Sequence, residues 1–573
     1  MIRVLCGFLI SATTIAFGQS RISGRIIDAE TNQPLASADV VLEGTGTGAN
    51  SDLSGNYLII DIEPGEYQLI VSYIGYKKAV ETFSIAQNQN LTINFYLQQT
   101  VLEAEMLVVT GTRVEVARKN VPLTISVISN DEIRQSNASA LLPVLSERVP
   151  GVFVTERGIT GFGVAEGAAG NITVRGVGGS PNTQVLMLID GSPQFMGIFG
   201  HPLPDAYVAS DVERIEVIRG PASILYGTGA MGGVVNLITK KQKADGLTIN
   251  SRMILGSYNT QKYMGSGGYK LNDLNVFASI NHDRTDGHRE NSDFEIYNGY
   301  LKAGYTLSPH ISMAISGNAA KFKTNDPGTI SSPHIEEKHW LDITRGMASL
   351  AIDNRYDKIA GGLKLFYSFG EHDIYDGFHS TDMHRGLAFY QGLTLFPNNI
   401  ITVGVDYKNY GGKAENIKAM MGEGIVFADT SVNEIGAYAF VQHFLMEKLI
   451  LNAGLRLENH SEYGKETVPQ AGFALHVAPM TTVKGSVSKG FRSPSLRELY
   501  LWAYANPDLE PERMWNYEVG VIQYLADNRL SFGVTGFMNE GKNLIQMVGQ
   551  YPDVKHWNTG EFSHRGVELQ GNY

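Results

Sequence analysis

Leu449-Ile450-Leu451-Asn452-Ala453-Gly454-Leu455-Arg456-Leu457-Glu458 is the run whose reading decides the fold. In a strand, successive side chains point to opposite faces. Leu449, Leu451, Ala453, Leu455 and Leu457 therefore share one face, and Ile450, Asn452, Gly454, Arg456 and Glu458 share the other. One face is wholly apolar and the other mostly polar, as in a strand with lipid outside and a wet lumen inside. The alternation returns in Leu301, Ala303, Tyr305 and Leu307, in Ile311, Met313 and Ile315, in Phe473, Leu475 and Val477, and in Val567, Leu569 and Tyr573. A soluble sandwich can alternate too, but not over so many consecutive segments in which short turns trade with long loops. The expectation is an antiparallel transmembrane β-barrel over residues 245–573, with roughly 16 strand-like segments.

Composition agrees. The chain has 573 residues, with 63 Gly, 27 Tyr and only 18% charged residues, which suits strands and turns. Its formal net charge is −12 and no basic tract interrupts it. A nucleic-acid surface needs clustered Lys and Arg to neutralise phosphates, so nucleic acid is excluded as a partner. Residues 1–18 carry Arg3, an apolar run from Val4 to Phe17 and a small-residue end, the pattern of a signal peptide cleaved after Gly18. That run is short of the ~20 residues of a spanning helix. The single cysteine, Cys6, would leave with it, which removes disulfides, thiolate metal sites and cysteine nucleophiles from the mature chain. No later run is long and apolar enough for a helical span, so membrane insertion would have to use a barrel.

Residues 19–98 read as short strands broken by turn residues at Asn32 to Pro34, Ser54-Gly55 and Glu63 to Gly65, the spacing of a β-sandwich. This stretch resembles the carboxypeptidase regulatory-like domain in Gly24, Pro34-Leu35, Ala38-Asp39-Val40, Gly55-Asn56-Tyr57, Pro64-Gly65-Glu66-Tyr67 and Ser72-Tyr73-Ile74-Gly75-Tyr76. The resemblance implies a non-catalytic spacer or docking module, and the chain has no HExxH zinc pair.

Residues 120–244 contain NITVRGVGG, QVLMLIDGSP and VERIEVIRGPASILYGTGAMGGVVNLITKK. Glu213-Arg214-Ile215-Glu216-Val217, Arg219-Gly220-Pro221, Tyr226-Gly227, Gly232-Gly233 and Asn236 to Lys240 resemble the plug domain of TonB-dependent outer-membrane receptors. The resemblance implies an α+β plug inside the barrel. Within the linker 99–119 it makes Glu105, Met106, Leu107, Val108, Val109 and Thr110 a candidate TonB box; from pattern alone the same run is an ordinary linker strand able to extend another sheet. The implied partner is a TonB-ExbB-ExbD type energy complex in the inner membrane, alongside outer-membrane lipid and an extracellular small solute. Arg175, Glu213, Arg214, Glu216 and Arg219 stand within apolar strand patterns and are expected to meet the barrel wall. As residue types alone they would equally suit the surface of a soluble α+β domain.

Gly490 to Tyr500 and Asn506 to Glu512 resemble barrel motifs of the same receptors, with Ser493 where alanine is usual. Residues 495–505 hold no histidine, which speaks against haem. At roughly 20 residues per strand and loop, a 22-strand barrel of the plugged class needs roughly 440 residues, so truncation at the carboxyl end is expected. The resemblance implies a ligand site at the plug apex, residues 155–170 and 192–204 with Phe195, Met196, Phe199 and His201, and on outer loops carrying His282, His288, His372, His379 and His384. Further loop residues are Arg284, Arg289, His334, His339, Tyr375 and Met383. The histidine spacings fit no defined metal site, so neither metal nor cofactor is expected. GVGG lacks a surrounding βαβ unit and Ser486 to Lys489 lies in a strand pattern, so neither marks catalysis. The expected function is therefore import, not enzymology: a ferric siderophore first, with cobalamin, a glycan, another metal complex or a passive plugged adhesin barrel as alternatives. The expected location is the bacterial outer membrane, with the amino-terminal domain in the periplasm.

Overall fold

The computed structural model describes residues 20–29, 32–36, 38–43, 45, 47–73, 76–98, 107–136, 138–156, 170–179, 182–242, 245–334, 338–418, 424–446, 448–478, 480–525, 530–550 and 552–573. The leader 1–18, Glu105, Met106 and residues 157–169 of the expected apex lie outside them. The chain divides into two compact units, one reaching to Glu103 and one beginning at Ala104.

The first unit is a two-sheet β-sandwich. Ser20–Asp28 pairs with Asn56–Ile62, Asn90–Thr92 and Phe95–Leu97, and Asp39–Leu42 lies between Thr47–Asn50 and Gly65–Ser72, which pairs with Ala79–Ile85. Alternate residues of both sheets, including Ile22, Ile26, Val40, Leu42, Leu69 and Val71, form the core between them.

The second unit encloses a small α+β body within a large sheet. The inner body has a five-stranded sheet in the order Ile125–Ser129, Val212–Arg219, Gly233–Thr239, Val185–Ile189 and Ser192–Pro193. Asp190 and Gly191, both at positive φ, make the two-residue hairpin between the last two. The helix Asn130–Gln135 starts from a capping box, in which Ser129 and Glu132 satisfy each other's backbone donors.

Sixteen strands from Gly246–Gly256 to Lys555–Asn572 form one antiparallel sheet, each paired with its sequence neighbours, as the segment count predicts. Among the described residues the first and the last of these strands pair on one side only. Turns such as 272–273 and 309–310 close one end, and longer loops such as 286–293 and 493–511 crown the other. In Leu449–His460 the burial is inverted relative to a soluble protein: Leu451, Leu455 and Leu457 are exposed, while Asn452, Arg456 and Glu458 are buried against the inner body. That inversion is stable only where the outside solvent is hydrocarbon. Among the described residues no helix is long and apolar enough to cross a membrane.

Candidate functional site

Three arrangements matter, from the long-loop end inward. At the loop end, the segment following Ser192–Pro193 folds back on itself through Met196 N–H to His201 O at 3.0 Å and Gly200 N–H to Met196 O at 2.8 Å. The wall holds it: Arg345 forks onto Asp382 at 2.9 and 3.1 Å and donates to Phe195 O at 3.0 Å, and Asp382 accepts from Gly197 N–H at 2.7 Å. Gly197 passes so close to the wall that a Cβ there would sit 2.4 Å from the carbonyl oxygens of Gly411 and Met383.

This loop closes one side of a cavity of about 190 Å³ lined by Met196, Phe199, His201 and His372, and by Phe378, Phe427, Arg497 and Trp502 from the wall and its loops. Phe199 lies parallel to His372 with ring centroids 6.0 Å apart and leans on Phe378 at 5.9 Å and Trp502 at 6.4 Å. Arg497 covers the Trp502 ring at 5.4 Å. His201 donates from Nδ1 to Pro202 O at 3.0 Å, yet burial pushes its imidazole down to about 3, so it is neutral at physiological pH. The cavity therefore presents aromatic faces, two imidazoles, the Arg497 guanidinium and the Asp376 carboxylate, surfaces that suit a flat group with polar substituents. A larger hollow of about 810 Å³ beside Leu451, Ala453, Val487 and Val519 lies against the apolar outer face and belongs to the lipid boundary.

The expected ligand residues do not act as one set. Met196, Phe199, His201 and His372 come together at the cavity. Phe195 and His384 stack on each other at 4.1 Å beneath it, both buried. His282 faces outward, stacked on Tyr297 at 4.2 Å, His288 meets Tyr258 edge-on in its loop, and His379 faces outward with Nδ1 2.8 Å from Asp373 Oδ1. Glu371, Asp373 and His379 are, among the described residues, the one group of three whose ligand atoms lie within 4.8 Å of one another. Phe378, Phe427, Arg497 and Trp502 were not singled out by sequence; Arg497 and Trp502 lie in or beside the 490–512 motifs, the one signal pointing to them.

Deeper, the plug is locked to the wall. Arg175 Nη1 reaches Glu518 at 2.7 Å, and its Nε and Nη2 take both oxygens of Glu568 at 3.0 and 2.8 Å. Arg219 reaches the same Glu568 at 2.7 Å. Burial, with Arg175 as a neighbouring cation, outweighs the pull of Glu568 and brings the Arg219 guanidinium down to about 10. At another strand of the wall Asp190 accepts from Lys302 at 2.7 Å, and within the plug from Thr239 N–H at 2.9 Å. Burial alone would raise its carboxyl, but Lys302 holds it below the usual range.

Arg175 and Arg219 thus meet the wall. Arg214 and Glu216 do not: they pair with each other at 2.8 Å, and Glu216 turns to residues 109 and 110 of its own unit. Glu213 lies half-buried near Lys240 on the plug. The difference is one of strand parity: Arg214 and Glu216 project from the face of Val212–Arg219 opposite to that of Arg219, and Glu216 meets residues 109 and 110 there. At this end Leu107–Val108 pairs with Val116–Ala117.

The family model described as TonB dependent receptor-like, beta-barrel matches residues 239–573, that of the TonB-dependent Receptor Plug Domain matches 117–234, and that of the CarboxypepD_reg-like domain matches 22–109. The iron-regulated outer membrane virulence protein of Vibrio cholerae serotype O1 is 26% identical over 515 residues, spanning 82% of this chain and 73% of that protein. The vitamin B12 transporter BtuB of Vibrio vulnificus is 24% identical over 494 residues, spanning 82% of this chain and 75% of that protein. Among solved structures, the siderophore receptor PirA from Pseudomonas aeruginosa shares the fold with a TM-score of 0.63 at 20% identity, over 78% of this chain and 81% of that one.

Proposed function

The chain belongs to the TonB-dependent receptors of the bacterial outer membrane, and from that premise we propose that the solute it carries inward is a ferric siderophore. The observation that carries this reading is the aromatic cavity closed by the plug loop at the long-loop end. Its volume of about 190 Å³ is smaller than a whole drug-sized site of about 300–1,000 Å³, so it takes one flat group of a larger chelate while the loops hold the rest. Arg497 supplies a cation for the polar edge of an aryl chelate, beside the Asp376 carboxylate on the same lining, and Phe199, Phe378 and Trp502 supply the faces. Likeness to a siderophore receptor and to an iron-regulated relative supports the same choice.

In this reading residues 105–110 are the segment that the periplasmic arm of the energy complex grips, and the Arg175, Arg219, Glu518 and Glu568 lock is the polar contact that must rearrange for passage. Polar contacts can be exchanged for water as the plug shifts, whereas a dry interface would resist. The second reading is cobalamin, favoured by the similarity to vitamin B12 transporters. The test is uptake by whole cells of labelled ferric siderophores and labelled cobalamin, with the parent chain, Trp502→Ala and Val108→Pro. Siderophore uptake that falls with both variants, with binding retained in Val108→Pro, is expected. Uptake of cobalamin alone refutes the siderophore assignment, and uptake indifferent to Val108→Pro refutes the coupling.

A further inference from the structure

One carboxylate holds residues 109 and 110 to the plug. Glu216 is fully buried, and its Oε2 accepts from Val109 N–H at 3.1 Å, from Thr110 N–H at 2.9 Å and from Thr110 Oγ1 at 2.6 Å. Its other oxygen accepts from Arg214 Nε at 2.9 Å. Thr110 is itself fully buried and is gripped from two more directions: Asn236 Nδ2 donates to its hydroxyl at 3.0 Å, and the Tyr226 hydroxyl donates to its carbonyl at 3.0 Å. The grip ends abruptly, because Val108 is buried but Leu107 is 50% exposed.

The asymmetry has a consequence for release. If the segment leaves, Thr110 can recover its hydrogen bonds from water, but Glu216 stays in the plug with three donors lost and Arg214 as its remaining charged partner. A buried carboxylate stripped of donors is far less stable than a solvated one. The cost of freeing the segment is therefore concentrated on one side chain rather than spread along the strand. Hydrophobic contacts of Val108 add to the hold but set no threshold of this kind.

We propose that Glu216 is the positioning residue that retains the 107–110 segment against the plug and sets how readily it is presented. The proposal rests on reading that segment as the one the energy complex captures. Asn236 and Tyr226 steady Thr110 for the same purpose, and the serial arrangement makes Thr110 the last residue to detach.

The experiment uses the full chain in detergent micelles, with Cys6→Ser and Val108→Cys, and follows the rate of labelling by a fluorescent maleimide. Glu216→Ala should accelerate labelling by roughly 10- to 100-fold, the range expected when charge-assisted hydrogen bonds are lost. Glu216→Gln, which keeps one acceptor oxygen but loses the charge, should accelerate labelling less than Glu216→Ala does. Thr110→Val, which keeps the branched shape without the hydroxyl, should fall between them and guards against misfolding of the alanine variant. Heat-modifiable migration of the barrel reports its folding in each case. Labelling unchanged in both Glu216→Ala and Thr110→Val overturns the proposal. Capture on an immobilised TonB periplasmic domain separates the two readings: faster labelling without capture of any variant leaves the grip standing and removes the coupling assignment, whereas capture with unchanged labelling does the reverse.

Discussion

Glu568 lies between two arginines, and Glu568→Gln is the perturbation that tests how the plug is held. Two guanidiniums and two carboxylates meet there, nearly fully buried, with no net charge. The substitution leaves one positive charge in excess and removes the bidentate contact with Arg175. Removing one partner of a buried ion pair costs about 3–5 kcal/mol. The amide keeps one acceptor oxygen, so the lower end applies, about 3 kcal/mol or roughly a hundredfold in the opening equilibrium. The decisive comparison is the double variant Glu568→Gln with Arg219→Met, which restores neutrality and leaves Arg175 paired with Glu518. Arg219 has little else to lose, since its remaining bonds to Pro150 O and Gln570 are both 3.4 Å long and its Nε has no partner. The double variant should therefore be more stable than the single by about 1 kcal/mol or more. Hydrogen exchange of peptides covering Val212–Arg219 and Ile172–Val174, read by mass spectrometry in detergent, measures the local opening energy. A double variant as unstable as the sum of its two singles would mean that the contacts act independently and that the net-charge argument is wrong.

Gly197→Ala drives a Cβ against two wall carbonyls at 2.4 Å, and should displace the plug loop at a cost of about 1–3 kcal/mol; calorimetry should show at least a tenfold loss of ligand affinity. Leu455→Arg places a charge on the lipid face near the middle of its strand and should destabilise insertion by about 2–4 kcal/mol, read from urea unfolding in liposomes. His201 binds its proton at about 3 in the fold against the ordinary 6.5, so the unfolded chain takes up a proton that the native one refuses. Its contribution to stability is therefore complete above about pH 6.5 and is lost as pH falls toward 3; His201→Gln should flatten that part of the pH profile of the melting temperature. Above about pH 4 the native His201 stays neutral, so ligand affinity there should show no step assignable to His201.

The alternation in Leu449 to Glu458 determined that this region is a barrel strand, because a period of two is a property of the backbone that no partner alters. It also determined which face meets lipid, since no aqueous protein exposes Leu451, Leu455 and Leu457 while burying Arg456 and Glu458. The sandwich turns were legible for the same local reason. What the tertiary structure alone decided is which residues meet. His372 points inward and Glu371 and Asp373 point outward from one strand, so parity divides the histidines, but only the register of the sheet against the plug brings His372 beside Phe199. Arg175 lies 343 residues from Glu518 and 393 from Glu568, and nothing in either neighbourhood names the other. Glu216 was expected at the wall and instead holds Thr110. Local sequence sets the face and the turn; the stagger of sixteen strands and the rotation of the plug among them are sums over many long-range contacts, and those sums place every partner in the site.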